Sequence, residues 1–281
     1  MTTLGPHIRI ERDGAVGTLV IDRKERFNAL DVATARDLRA AGLALARDPE
    51  VRCMVVQGSH GIFCSGADLK YIRSGGVDEE LGYLAPAARP VPRGHGEIFK
   101  QILEYLHSTI SEMKRAPKPV ICAVDGVAAA GGLGLAMAGD LVLCSERSVL
   151  EWAYGKTALT GAESSTFFLP RLVGLRRAFG MAFLNPRLEA RKALEWGLVN
   201  EVYPDGRFDE ELQGVARRLA AGPTGSFAVT KQLLHSSATV DRLDWHLDRE
   251  LDELTRIADT PDFAEGIDAF FGKRPPRFGG R

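Results

Sequence analysis

A run of small residues placed straight after an apolar strand constrains this chain most. It reads Ala123-Val124-Asp125-Gly126-Val127-Ala128-Ala129-Ala130-Gly131-Gly132-Leu133-Gly134-Leu135-Ala136-Met137-Ala138-Gly139-Asp140. The apolar strand is Val120 to Val124, and a tight turn leads from it into a helix made almost wholly of small and apolar residues. Gly131 and Gly132 have no side chain to shield the backbone, and the first N–H groups of a helix have no partner inside it. A helix start also carries partial positive charge. Bare N–H groups there suit an oxygen that becomes negative during a reaction. A second run makes the same offer: Gly61-Ile62-Phe63-Cys64-Ser65-Gly66-Ala67-Asp68-Leu69, after the apolar strand Cys53 to Gln57. Gly66 permits a sharp turn, and Ala67 is too small to block its own N–H. Two such turns, each aiming one N–H at a common oxygen, make an oxyanion hole.

The remaining pattern alternates strands and helices. Ile8 to Arg12 and Val16 to Asp22 flank the turn signal Asp13-Gly14 and predict a hairpin. Asp31 is a good N-cap for a helix ending near Asp48-Pro49, and a strand follows from Val51 to Gln57. Glu97 to Lys114 has helical spacing in Ile98, Ile102, Tyr105, Leu106, Ile110 and Met113. Asp140 to Ser145 is another strand, and from Arg207 onward the pattern is helical with breaks at Gly222-Pro223, Ser236-Ser237 and Thr260-Pro261. Ser74 to Gly96 is rich in Gly and Pro and holds no regular element; it is either a pocket lid or a surface loop. An α/β core over residues 1–206, carrying the site, and a helical region over 207–281 are expected.

With 281 residues, 45% of them hydrophobic and 26% charged, the chain has the makings of a soluble globular protein. A formal net charge of −1 argues against nucleic-acid and membrane partners. The start lacks the apolar core of a signal peptide, and apolar runs fall well short of the roughly 20 residues of a membrane helix. Cys53, Cys64, Cys122 and Cys144 lie in or beside apolar strands with no CxxC pair. They read as buried thiols rather than metal ligands and fit a reducing cytoplasm.

The two turns together resemble those of the crotonase superfamily, the enoyl-CoA hydratases and isomerases. The resemblance runs over nearly the whole chain. It includes Arg26-Phe27-Asn28-Ala29-Leu30, Ala193-Leu194-Glu195-Trp196-Gly197-Leu198-Val199 and Gly266-Ile267-Asp268-Ala269-Phe270-Phe271-Gly272-Lys273-Arg274. It implies an α/β fold with a spiral of ββα units and a C-terminal helical trimerisation region, as a homotrimer or stacked hexamer. It also implies an acyl-CoA thioester as substrate, with coenzyme A part of that substrate and no separate cofactor.

By this resemblance Ala67 and Gly131 supply the two oxyanion N–H groups. The family's hydratases use two glutamates to place a water on the double bond. The positions where these belong are Gly134 and Tyr154, so ordinary two-glutamate hydration is not expected here. Many family isomerases use one carboxylate, and one group carries an aspartate shortly before Phe-Leu-Pro-Arg. The segment here is Thr160-Gly161-Ala162-Glu163-Ser164-Ser165-Thr166-Phe167-Phe168-Leu169-Pro170-Arg171, with Ala162 at the aspartate position and Glu163 next. Glu163 is therefore a candidate base, but Thr160-x-x-Glu163 also reads as a capping box. Tyr154 is a second candidate, able to donate a hydrogen bond or a proton. Trp152 either walls the pocket or packs in the core, Asp68 is expected to cap the helix that follows it, and His95 falls in the irregular loop.

Lys24, Arg26 and Lys70 are candidate phosphate contacts, and the loop Ala67, Asp68, Leu69 would run along the pantetheine arm. In the resembled family a Phe and a Lys of the last helix reach the adenine and phosphates from a neighbouring subunit, and the matching residues are Phe270 and Lys273. The activity this implies is enoyl-CoA double-bond isomerisation, with Glu163 moving the proton. Hydration by a non-standard site, decarboxylation, thioester hydrolysis and non-catalytic acyl-CoA binding are the alternatives.

Overall fold

The computed structural model describes residues 2–77, 80, 94–238 and 240–280. Most of the segment 74–96 lies outside these. A first sheet is built by β1 (Thr2–Leu4), β2 (Ile8–Asp13), β3 (Val16–Ile21), β4 (Cys53–Gly58), β6 (Val120–Val124), β8 (Leu141–Ser145) and β11 (Glu201–Tyr203), in the order β1-β2-β3-β4-β6-β8-β11. The hairpin β2–β3 is antiparallel, and β3 through β11 run parallel. A second sheet holds β5 (Ile62–Cys64), β7 (Val127–Ala129), β9 (Val149–Glu151) and β10 (Arg187–Glu189), in the order β10-β9-β7-β5. Consecutive strands thus alternate between sheets, β4 to β5, β6 to β7 and β8 to β9, which is the expected spiral of ββα units. The strands of the second sheet have three residues each. That is too short for a period-two pattern to register in the sequence.

Parallel strands buried on both faces explain the unbroken apolar runs. One face of the first sheet presents Leu19, Ile21, Met54, Val56, Cys122 and Val124 to the main core. That core is completed by α1 (Val32–Arg47) and α3 (His95–Arg115). Asp31 caps α1 by accepting from the Thr34 N–H at 2.8 Å. His95 opens α3 instead of lying in a loop. The other face presents Val16, Cys53, Val55, Ile121, Ala123 and Leu143 to α8 (Phe208–Ala220), which inserts Phe208, Leu212, Ala216 and Ala220. The helical region from 207 therefore begins with an element that belongs to the core packing.

The chain continues as α9 (Thr224–Ser237), α10 (Leu243–Ala258) and α11 (Pro261–Phe271); the breaks at Gly222-Pro223 and Thr260-Pro261 fall where the sequence marks them, whereas Ser236 and Ser237 are still helical and end α9. All four cysteines are buried and free, and burial pushes each thiol up to about 12. Among the described residues no helix is long and apolar enough to cross a membrane.

Candidate active site

The two small-residue turns meet. Gly66 has φ of +95°, a conformation that favours glycine, and a Cβ built on it would stand 3.1 Å from the Gly131 nitrogen. The Gly66 carbonyl accepts from the Leu30 N–H at 2.8 Å, and the Asp68 N–H donates to the Leu30 carbonyl at 2.9 Å. This bridge fixes Ala67 between two tied neighbours. Gly131 is the first residue of α4 (Gly131–Met137), so its N–H has no partner within the helix. Among the described residues, neither the Ala67 N–H nor the Gly131 N–H donates to a protein acceptor. Both residues line one cavity of about 300 Å³.

Asp68 faces away from that cavity. It accepts from the Lys70 and Tyr71 N–H groups at 3.0 Å each, capping α2 (Leu69–Arg73). It also pairs with Arg23 at 2.9 Å and with both Arg26 nitrogens at 2.9 and 3.1 Å. The cap expected of Asp68 is thus present, and its carboxylate is buried in this cluster, where it serves to hold the Ala67 turn. Arg26 is committed to the same cluster rather than free for phosphate. Burial alone would push the Asp68 carboxyl up, but the Tyr71 N–H and then the Arg23 and Arg26 guanidiniums bring it below the usual carboxylate range. Asp68→Ala is expected to cost about 2 kcal/mol, because it removes the cap of α2 and the carboxylate partner of the half-buried Arg26, while the buried Arg23 keeps its pairing with Asp31. A depressed pKa contributes stability above the unfolded value and loses it as pH falls through the folded one. Urea denaturation should therefore show a deficit that is full at neutral pH and shrinks in acid.

Glu163 comes to the cavity through an unusual turn. Glu163 and Ser164 have φ of +48° and +56°, two successive left-handed residues that are not glycine. The turn aims the Glu163 side chain inward, where the residue is 3% exposed. The carboxylate lies over Gly131, since a Cβ built there would stand 2.9 Å from Glu163 Cδ and Oε1. The Tyr154 hydroxyl donates to the Glu163 carboxylate. Burial pushes the Glu163 carboxyl up to about 7, with the Tyr154 hydrogen bond acting the other way. Burial, and next the charge of Glu163, pushes the Tyr154 phenol well up, so it stays protonated and acts as a donor.

The capping box does not form. The helix α5 (Ser165–Val173) starts two residues past Glu163, its N-cap is Ser164, and no side chain caps it. Trp152 is buried and packs edge-on against Tyr154, with ring centroids 5.1 Å apart, so it supports the site from the core.

Ala67, Leu69, Gly131, Tyr154 and Glu163 line the same cavity. Lys24 and Lys70 are exposed and do not line it. Phe270, near the end of α11, and Lys273, just beyond it, are also exposed and do not line the cavity of their own chain. The sequence reading missed Phe99, Leu103, Thr157 and Leu159, which form much of the wall. Phe99 and Leu103 stand four apart on α3, one step off its core stripe, and that offset was the available signal. Among the described residues no cluster of His, Cys, Asp or Glu is arranged to hold a metal ion.

A relative from Escherichia coli K12, 1,2-epoxyphenylacetyl-CoA isomerase, is 33% identical over 95% of both chains. A probable enoyl-CoA hydratase from Rhodobacter capsulatus is 35% identical over 98% of both. The crystal structure of an enoyl-CoA hydratase from Bacillus anthracis superimposes with a TM-score of 0.86, at 26% identity, over 98% of this chain and 100% of that one. The family described as enoyl-CoA hydratase/isomerase matches residues 11–86 and 94–281. With the two turns joined at one cavity and the alternating sheets of the same fold, this chain belongs to the enoyl-CoA hydratase/isomerase family.

Proposed function

We propose that this protein moves the double bond of an enoyl-CoA thioester by carrying one proton between two carbons. The observation behind this reading is that Glu163 is the one carboxylate among the described residues of the cavity, and that it is poised near neutrality beside two free N–H groups. A carboxylate with its pKa near the working pH serves both as base and, once protonated, as acid. Glu163 takes a proton from carbon, and the electron pair moves into the thioester, whose oxygen becomes an enolate. The Ala67 and Gly131 N–H groups hold that oxygen, each lowering the barrier by about 3 kcal/mol. Glu163 then returns the proton at the other end of the allylic system, so mass is unchanged.

Hydration requires two groups to split a water. Gly134 and Tyr154 occupy the places where the family's hydratases carry theirs. The test is incubation with 3-enoyl-, 2-enoyl- and malonyl-type CoA thioesters, followed by mass analysis and by the ultraviolet absorbance of the conjugated 2-enoyl thioester, which separates the isomers. A shifted double bond at unchanged mass supports the reading. Gain of water, loss of carbon dioxide, release of free acid or no change at all would each replace it.

Self-association belongs to the same proposal. Phe179, Phe183 and Leu184 of α6 (Leu175–Leu184) and Leu243, Trp245 and Leu251 of α10 leave wide apolar faces exposed. A homotrimer or hexamer would cover such faces and let Phe270 and Lys273 of one copy reach the coenzyme A of another, with Lys24 and Lys70 meeting its phosphates. Light scattering at micromolar concentration is expected to give a trimer or hexamer mass, and a monomer would remove this part of the proposal.

A further inference from the structure

We infer that Gly134 and Tyr154 are positioning residues that together form the socket of Glu163, so that the site seats this one carboxylate and leaves no room for another at position 134. The inference rests on the reading of Glu163 as the base. It gives a shared purpose to the two positions at which the chain departs from the two-glutamate pattern.

The steric half of the socket is Gly134. A Cβ built on this residue would stand 2.5 Å from the Glu163 carbonyl oxygen and 2.7 Å from the Glu163 Cβ. Neither is the far end of a flexible side chain, so Glu163 cannot swing aside to make room. Its own turn is closed on the other side. The Ser165 N–H donates to the Ala162 carbonyl at 2.9 Å, and the Ser165 hydroxyl donates to the same oxygen. Any side chain on α4 at position 134 would therefore displace the backbone that carries Glu163. A carboxylate at that position and Glu163 in its present place exclude one another.

The polar half is Tyr154. Its hydroxyl donates to the Glu163 carboxylate and lies 3.3 Å from the Ala162 carbonyl oxygen. Its ring is braced by Trp152, and its own carbonyl accepts from the Leu159 N–H at 3.1 Å. The phenol is thus fixed independently of any substrate. Among the described residues the titratable groups that face Glu163 are this phenol and Cys64, from the strand behind α4. Cys64 is a buried thiol pushed up to about 12 and therefore neutral. Among the described residues no cation pairs with Glu163, so the Tyr154 hydrogen bond is what favours its ionised form.

Two measurements on the intact protein test the socket. One is exchange of the α-proton of octanoyl-CoA into deuterated water, and the other is denaturation by urea. Both are run across roughly pH 5 to 9, a range that brackets the titration of a raised carboxyl. Wild type, Gly134→Ala, Tyr154→Phe and Glu163→Gln are compared. In Tyr154→Phe the ionised carboxylate loses its donor, so the midpoint of the rising limb is expected to move about one pH unit to the alkaline side. Gly134→Ala is expected to push Glu163 from its place and lower exchange by about 10²-fold or more.

A folded Gly134→Ala protein with wild-type rate and midpoint would overturn the socket, and so would an unmoved midpoint in Tyr154→Phe. If Gly134→Ala does not fold, the Tyr154→Phe midpoint decides alone. If the wild type exchanges no proton, the isomerase reading fails and the denaturation series still decides the socket. In that case the pH-dependent fall in stability that Glu163→Gln abolishes must shift in Tyr154→Phe, and its failure to shift overturns the inference.

Discussion

Glu163→Gln is expected to lose about 10²-fold or more in proton-transfer rate while gaining stability at neutral and alkaline pH. The amide keeps the shape of the side chain and can still accept from Tyr154, but it cannot take a proton from carbon. The stability gain follows from the raised pKa. In the unfolded chain the carboxyl ionises at its ordinary value of 4.5, whereas burial holds it to about 7 in the fold. Between those values the folded state retains a proton that the unfolded state has lost, so wild-type stability falls as pH rises through this window and levels off above it. Glutamine does not titrate and escapes that loss. A difference of this size corresponds to something on the order of 3 kcal/mol in favour of the variant at pH well above the folded value, and to almost none in acid. Exchange of a saturated acyl-CoA in deuterated water, with urea denaturation at both ends of the range, measures the two effects. Undiminished exchange, or a variant less stable than wild type in alkali, would make Glu163 a structural residue.

Gly131→Pro should show the largest loss of turnover, about 10³-fold or more, through two causes that a second variant separates. Proline removes the N–H that faces the developing enolate. It also adds a Cβ, and a Cβ at this position would stand 2.9 Å from Glu163 Cδ and Oε1. Gly131→Ala adds the same atom and keeps the N–H. The loss in Gly131→Ala therefore measures displacement of Glu163, and the further loss in Gly131→Pro measures the missing donor, about 10²-fold. Proline suits the first position of a helix, but Ala130 before it holds φ of +47° and ψ of −117°, outside the extended region a pre-proline residue prefers, so circular dichroism establishes the fold of each variant before their rates are compared. Equal rates in the two variants would remove Gly131 from the oxyanion hole.

Much of this site was legible because it is made of backbone. Gly66, Ala67, Gly131 and Gly132 announce exposed N–H groups by what they lack, and such a pattern survives in a linear reading. The spiral could be expected from the family resemblance, although its second sheet was invisible strand by strand. Three-residue strands carry too little periodicity, and their pairing partners lie far off in sequence. Glu163 was found but left between two uses, since Thr160-x-x-Glu163 satisfies the spacing of a cap. The cap is ruled out by two successive left-handed residues, and no propensity rule anticipates those at a Glu-Ser pair. Asp68 was read both as a cap and as a ligand contact. Its burial against Arg23 and Arg26 depends on chain segments about 40 residues apart, beyond the reach of local pattern. Gly134 was noted only as the absence of a glutamate, and the structure shows what fills the space.

The packing of α8 on the rear of the first sheet bears on how the molecule is made. Strands near the amino terminus, such as β3 and β4, are complete early in synthesis, yet the helix that covers Val16, Cys53 and Val55 lies at Phe208–Ala220. Arg52 likewise waits for partners at the Gly222 and Phe278 carbonyls, at 2.6 and 2.9 Å. Contacts so distant along the chain close slowly, and bare apolar strands are prone to aggregate before they close. A nascent polypeptide therefore carries this sheet face uncovered from the emergence of β3 and β4 until Phe208–Ala220 has left the ribosome.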